Sequence, residues 1–480
     1  MADYEDNITS QRVVSAVSPG YLRPLLPDSA PHDPEPFDAI RADVQSKIMP
    51  GLTHWQSPHF MAFFPCTNSF EANIAEMYSN AFNGAHFNWI CSPAVTELET
   101  IVLDWLAKAL GLPECYLSGG STHGGGVLHG SASEAILTVM VAARDKYLEE
   151  KTQGLEGEEK EEELWRLRSK LVALGSGGTH SSTKKAAQVC GVRFATVDVH
   201  EKDELGLTGE ALDEKIKELK AKGLHPFYLT ATLGTTDVCA VDDFGGIADT
   251  LKKHKEDGEI WVHVDAAYAG SALLLEENQH YAKHFEHFES FNFNPHKWML
   301  TTFDCSAVWV KSRKHFIHAL SIKPHYLRNE FSDDDLVTDY RDWQIPLGRR
   351  FRSLKLWFVM RSFGISGLRE HVQRGITLAL SMEKKIRTRE DLFEVFTPAR
   401  FGLVSFRVKG GSEAETNEKT EALYNKVNAS GDVYWTSTMV NGKFAIRVVT
   451  SVRTVREEHV ERLWGLILRE VEGEVKVNGH

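Results

Sequence analysis

The sequence predicts an α/β protein. A mostly parallel sheet with helices on both faces is preceded by an N-terminal helical arm and followed by a smaller C-terminal α/β domain. Three observations carry this reading. Short apolar runs alternate with amphipathic stretches from about residue 116 to 311, the pattern of strands buried on both faces. Prolines at 19, 24, 27, 31, 34 and 36 prevent a regular element early in the chain. After Arg352, apolar residues at helical spacing (Leu354, Leu356, Trp357, Val359, Met360) open a connector to a strand, helix, hairpin and helix. The expected boundaries are 1–85 for the arm, 86–353 for the large domain, and 354–480 for the connector and small domain.

The elements follow in order. Asp38 to Ile48 carries near-helical apolar spacing, and Pro93-Ala94-Val95-Thr96-Glu97 opens a helix with proline at its start and acid in its first turn. Strands are expected at Lys170–Leu174, Arg193–Val197, Pro226–Thr232, Ile260–Asp265 and Ser306–Lys311. Helices are expected at Ser133–Glu150, Ser182–Cys190 and Gly209–Lys222, and the acid-dense run Glu149 to Glu163 reads as a solvated helix extension. In the last domain come a strand at Leu403–Val408, a helix at Glu415–Asn428, a hairpin turn at Asn441-Gly442 and a helix through about Glu474.

Composition narrows the function. The 480 residues are 42% hydrophobic and 25% charged, ordinary for a globular protein. A formal charge of −13 disfavours a general binder of nucleic acid or anionic membrane. The start, Met1-Ala2-Asp3-Tyr4-Glu5-Asp6, has neither the basic nor the apolar region of a signal peptide, and no apolar run approaches the ~20 residues that span a bilayer. Six scattered cysteines without C-x-x-C spacing suit free thiols in a reducing cytoplasm. The 21 histidines include no H-E-x-x-H, so no metal is expected.

Four segments could carry chemistry. Lys297, in Asn294-Pro295-His296-Lys297-Trp298, sits in a non-polar stretch where a solvated lysine is out of place. Burying an ammonium is costly, and a Schiff base with an aldehyde removes the charge. Asp265 closes the apolar strand Ile260–Val264, where open α/β sheets bind ligands; it could pair with a protonated ring nitrogen or simply cap a turn. An amine and a carboxylate are the pair that pyridoxal phosphate requires. Gly124-Gly125-Gly126 leads through Gly130-Ser131-Ala132-Ser133 into a helix, which reads as a phosphate site or as a flexible loop with Ser133 as the cap. His180 could stack on a planar ring, although taken alone a helix-entry histidine, with Ser181 or Ser182 as the cap, accounts for it more simply.

Together these segments resemble the aromatic L-amino acid decarboxylases, the group II pyridoxal-phosphate decarboxylases of fold type I. The resemblance runs from Val17-Ser18-Pro19-Gly20-Tyr21 to the last helix. It includes Met49-Pro50-Gly51-Leu52-Thr53-His54-Trp55, Ala231-Thr232-Leu233-Gly234-Thr235-Thr236, His263 to Gly270, Phe291 to Trp298, and Asp342 to Lys355.

The resemblance implies pyridoxal 5'-phosphate held by Lys297, with Asp265 at its ring nitrogen, Ala267 near the ring and His180 against the ring face. Ala132, Ser133, Thr236, Asn294 and His296 would surround the phosphate, and Tyr326 would return a proton to the substrate carbon. Phe63, Phe64, Pro65, Phe87 and Trp89 fall on the aromatic pocket segment. Gly348 stands where plant relatives that prefer a phenol ring tend to carry serine, which favours tryptophan or a hydroxytryptophan. A tyrosine- or dopa-preferring decarboxylase and an oxidative aldehyde synthase are the alternatives; Tyr326, where aldehyde-forming relatives tend to carry phenylalanine, speaks for the amine. Cys66 and His129 depart from a frequent threonine and glutamine. The resemblance further implies a cytoplasmic homodimer with shared active sites, acting on a small molecule.

Overall fold

The structure is a computed structural model that describes residues 2–255, 258–322 and 337–477. It divides into two compact units, Cys66–Arg374 and a second formed by Met1–Pro65 with Gly375–His480.

The larger unit is built on seven strands: β1 (Gly125–His129), β2 (Leu171–Ser176), β3 (Arg193–Val197), β4 (His225–Thr232), β5 (Trp261–Asp265), β6 (Ser290–Phe293) and β7 (Ser306–Val310). They lie in the order β1-β7-β6-β5-β4-β2-β3. Neighbours from β6 to β3 are parallel, and β7 runs antiparallel to both β6 and β1. Because the direction reverses twice across β7, β1 points the same way as β6, so only β7 is opposed. β1, β2, β5, β6 and β7 are buried along their whole length, as expected of a sheet covered on both faces.

The helix Ala132–Lys151 covers one face. Its Ala135, Ile136, Val139, Met140 and Ala143 join Trp261, Val308 and Val310 in one buried cluster. Burying a side chain of this size contributes about 1.5–3 kcal/mol, so the cluster is a major term in the unit's stability. Beyond Lys151 the acidic stretch forms a separate helix, Gly157–Arg168, whose Glu158, Glu159, Glu161 and Glu162 face solvent.

Two expectations are corrected. The Gly124–Gly130 segment is not a loop: Gly125–His129 is the strand β1. Its glycines are there for space. A Cβ on Gly124 would lie 2.1 Å from the Cys115 carbonyl oxygen, and one on Gly126 would lie 2.8 Å from the Trp309 indole nitrogen. The cap of the following helix is Ser131, whose Oγ accepts from the Glu134 N–H at 3.2 Å; Ser133 falls in the first turn.

The second unit holds an antiparallel sheet of β8 (Phe393–Arg400), β9 (Leu403–Val408), β10 (Thr436–Val440) and β11 (Lys443–Val449), in the order β10-β11-β9-β8. Asn441 and Gly442 both have positive φ, 51° and 78°, as a two-residue hairpin turn requires. Phe406, Trp435 and Ile446 pack with Leu463 and Ile467 of the helix Glu457–Val477. The helix Arg352–Arg387 is interrupted at Gly364, where φ is 62°. Among the described residues no helix is long and apolar enough to cross a membrane.

Candidate active site

Functional side chains gather where the parallel strands end, the edge at which open α/β sheets bind ligands. Gly130–Ser133 follows β1, Gly177–His180 follows β2, Thr235 and Thr236 follow β4, Asp265 ends β5, and Asn294–Lys297 follows β6. The β5 and β6 exits are stitched together. Ala266 N–H donates to the Asn292 carbonyl at 2.9 Å and Asn294 N–H to the Ala267 carbonyl at 3.0 Å.

Lys297 lies in a one-turn helix, Pro295–Trp298, opened by proline at its first position. Its neighbours His296 and Trp298 are buried, while Lys297 is half-buried and reaches the crevice. His296 Nδ1 accepts from the Cys305 N–H at 3.0 Å, so the ring proton sits on Nε2 and points elsewhere as a donor. Burial, then the charge of Lys297, push His296 down to about 3, leaving it neutral. Cys66 also lies beside the lysine: burial raises its thiol and the lysine's charge draws it back.

Asp265 is 4% exposed, and its Oδ1 accepts from the Ala267 N–H at 2.9 Å. His180 caps the helix Ser181–Val189 itself, rather than leaving that to Ser181 or Ser182. Its Nδ1 accepts from the Ser182 N–H at 3.1 Å and the Ser182 hydroxyl at 2.7 Å. That fixes the ring and leaves the proton on Nε2. Partial desolvation lowers the His180 pKa, Asp265 raises it and Lys297 lowers it. His180 after β2, Asp265 at the end of β5 and Lys297 after β6 share one edge of the sheet, and both charges bear on the histidine.

The residues present fit a phosphorylated pyridine aldehyde. The amine, the carboxylate and the flat imidazole match its aldehyde, ring nitrogen and ring face. The first-turn N–H groups of Ala132 and Ser133 belong to those a helix start leaves without intrahelical acceptors, and a phosphate suits them. Ser133 and Thr236 are exposed, and their hydroxyls can donate to a phosphate; the buried Asn294 has an Oδ1, an acceptor, with no hydrogen-bond partner among the described residues.

Of the expected pocket residues, Phe87 and Trp89 lie in this unit. The Phe87 carbonyl accepts from the Arg341 N–H at 3.0 Å, the Trp89 N–H donates to Asp339 Oδ1 at 2.9 Å, and its indole N–H donates to Glu97. Gly348 is exposed with open space around its Cα. Phe63 and Phe64 belong to the other unit, where Phe63 stacks on Trp55 at 5.5 Å and Phe64 lies under Arg447 at 5.3 Å; Pro65 is that unit's boundary residue. Tyr326 lies outside the described residues.

Sequence reasoning missed several buried charges that brace the site. Arg349 pairs with Glu99, and Arg352 donates to Asp304 at 2.9 Å beside Gly130. Asp304 and Glu134 press so closely on Gly130 that an added Cβ would lie 3.0 and 3.2 Å from their oxygens. Only the density of arginines in Arg349-Arg350-Phe351-Arg352 hinted at this. Among the described residues no group of His, Cys, Asp or Glu is arranged to hold a metal ion.

An amine and a carboxylate at the mouth of such a sheet are the working parts of a pyridoxal-phosphate enzyme. Residues 19–409 match the family model described as the pyridoxal-dependent decarboxylase conserved domain, and the chain belongs to this family. Tyrosine decarboxylase 2 of Narcissus pseudonarcissus is 44% identical over 469 residues, covering 97% of this chain and 90% of that protein. The aromatic-L-amino-acid decarboxylase of Cavia porcellus is 42% identical over 464 residues, covering 97% and 93%. A crystal structure of Oryza sativa TDC with PLP and tryptamine superimposes with a TM-score of 0.93 at 36% identity, covering 98% of this chain and 95% of that one.

Proposed function

We propose that this enzyme decarboxylates aromatic L-amino acids to the corresponding amine and CO₂, with tryptophan or a hydroxytryptophan preferred. The observation that carries the reading is the setting of Lys297, Asp265 and His180 along one edge of the sheet, where both charges bear on the histidine. Lys297 would hold the cofactor through its amine, and Asp265 would face the ring nitrogen. His180, neutral and oriented through Nδ1, would lie against the ring. Ala132, Ser133, Thr236, Asn294 and the His296 Nε2–H would surround the phosphate, with Ala267 near the ring. When bound, the cofactor supplies a protonated pyridine that takes up the electron pair of the Cα–carboxylate bond. Tyr326 is the general acid that protonates Cα.

Phe87 and Trp89 supply aromatic surface for an aromatic substrate, by area burial and ring stacking. Gly348 leaves room for an indole, whereas a tyrosine or dopa preference would need less. Phe63 and Phe64, with Pro65 beside them, are further pocket candidates from the sequence alone.

The helix Phe70–Ala81 favours a homodimer. Phe70, Ile74, Met77, Tyr78 and Phe82 follow helical spacing and are 37–60% exposed, an apolar stripe that a second copy would cover. Among the described residues the six cysteines form no disulfide, which suits the cytoplasm.

The deciding experiment compares wild type with Lys297→Ala. Wild type should show a visible absorbance band from lysine-bound cofactor and release amine from a panel of tryptophan, 5-hydroxytryptophan, tyrosine, dopa and glutamate. The variant should lose both. A band that survives the substitution would remove Lys297 from its role, and amine from glutamate alone would remove the aromatic substrate.

A further inference from the structure

The sheet face beneath the helix Ala132–Lys151 is polar along its central strands. By register, Thr230, His263 and Ser290 form one row across β4, β5 and β6, and Thr232, Asp265 and Asn292 form the next. Every one of these side chains is buried, at 0–4% exposure. The alternate positions on the other face, such as Leu229, Val262, Val264, Phe291 and Phe293, are apolar. Polar groups in such a core are costly unless their hydrogen bonds are made, so the row calls for an explanation.

The hydrogen bonds have a direction. The Trp261 indole N–H can only donate, and it donates to Ser290 Oγ at 2.8 Å. The Ser290 hydroxyl proton then goes to His263 Nδ1, 2.8 Å away. The ring proton of His263 is left on Nε2, which donates to Asn292 Oδ1, again at 2.8 Å. The reverse polarity would strand the serine proton in the core. The series therefore turns the Asn292 amide so that Nδ2 points away from the histidine, and among the described residues Nδ2 has no partner. Asn292 is the cross-strand neighbour of Asp265. On the opposite flank of Asp265, Thr232 Oγ1 is likewise buried with no partner. Burial holds His263 down to about 4, so the ring carries one proton at neutral pH and the relay keeps its polarity.

We propose that the relay Trp261–Ser290–His263–Asn292 positions Asp265, with His263 the positioning residue that fixes the Asn292 amide as a donor for that carboxylate. Asn292 Nδ2 and Thr232 Oγ1 stand in the carboxylate's own cross-strand row, one on each side; neither bonds it in this structure, and they are the donors left to hold it once it turns to the cofactor's ring nitrogen. The inference rests on the role given above to Asp265. It also accounts for a polar row where an apolar one would pack more simply.

The test uses holoenzyme and reconstituted apoenzyme of wild type, Asn292→Leu, His263→Phe, the double variant and Asp265→Asn. Three quantities are read: the dissociation constant of pyridoxal phosphate from tryptophan fluorescence, the visible spectrum of bound cofactor, and the melting temperature of the apoenzyme. Each relay variant should weaken cofactor binding about 10–100-fold, as loss of an outer partner does at metal sites, and alter the visible band. The double variant should be no worse than the more affected single one, because both break one path. Relay variants that bind cofactor like wild type, with or without a lower apoenzyme melting temperature, overturn the proposal when Asp265→Asn does weaken binding. Unchanged binding in Asp265→Asn overturns the role of Asp265 itself, and the relay falls with it. If His263→Phe does not fold, Asn292→Leu, close to isosteric, decides alone.

Discussion

Glu99 and Arg349 form an ion pair with 1% and 2% of their side chains exposed. Glu99 also accepts the Leu128 N–H of β1 at 2.7 Å, while Arg349 donates to Gln344 Oε1 at 2.8 Å and stacks over the Tyr340 ring at 4.7 Å. One buried pair thus ties the strand that leads into the Ser131 cap to the 340–349 segment. Removing one partner leaves the other charge in the core. Arg349→Met should cost about 3–5 kcal/mol of unfolding free energy. Glu99→Gln, which keeps an acceptor for Leu128, should cost less. Urea unfolding of the two variants checks the order, and equal small losses would show that the pair braces nothing.

Acid sensitivity should be traceable to His129. The ring is fully buried and donates from Nε2 to the Trp343 carbonyl at 3.0 Å, and burial holds it down to about 4 against an ordinary 6.5. Its folded pKa is depressed, so its contribution is complete above 6.5 and is lost as pH falls towards 4, because the unfolded chain takes the proton first. His129→Gln keeps an amide donor and removes the titration. Between pH 6.5 and 4 the variant should lose stability less steeply than wild type, by about 1.4 kcal/mol per pH unit. Parallel stability curves for the two proteins would count against this account.

The exposed stripe on Phe70–Ala81 predicts an oligomer that one charge can break. Met77 is 60% exposed near the middle of the stripe. Met77→Glu should leave the far-ultraviolet spectrum unchanged and weaken dimerisation at least about tenfold, some 1.4 kcal/mol. Sedimentation across a concentration series reads this directly; an unchanged association constant would place the interface elsewhere.

How much of this was legible in sequence depended on whether the signal was local. Arg193–Val197 and Leu403–Val408 read correctly because a β-rich run bounded by turns carries its own pattern. Asp265 and His180 were visible because each ends or follows a readable strand, and Lys297 because a lysine is out of place in its non-polar stretch. Three strands were not. In β1 the glycines look like a loop, although they serve contact with Cys115 and Trp309. β6 is only four residues long, and β8 contains Pro398. The Glu99–Arg349 pair spans 250 positions, and the His263 relay depends on cross-strand register. Neither can be paired from any short window, because tertiary packing alone brings the partners together.

In the role proposed for it, Tyr326 would decide what leaves the site. After CO₂ departs, the substrate carbon holds an electron pair that either takes a proton or reacts with oxygen. A phenol placed to donate that proton closes the first route quickly; phenylalanine cannot donate, so the second gains. Tyr326→Phe should therefore retain cofactor and consume amino acid, while its products move from amine and CO₂ towards aldehyde, CO₂, ammonia and hydrogen peroxide, with one O₂ consumed per turnover. A loss of general acid catalysis of about 10²–10⁴-fold in amine formation is the expected scale. Measuring amine, peroxide and oxygen uptake in the same reaction separates this from a general loss of activity. Amine output equal to wild type would assign the proton to another donor, and the Nε2–H of His180 would be the next group to replace.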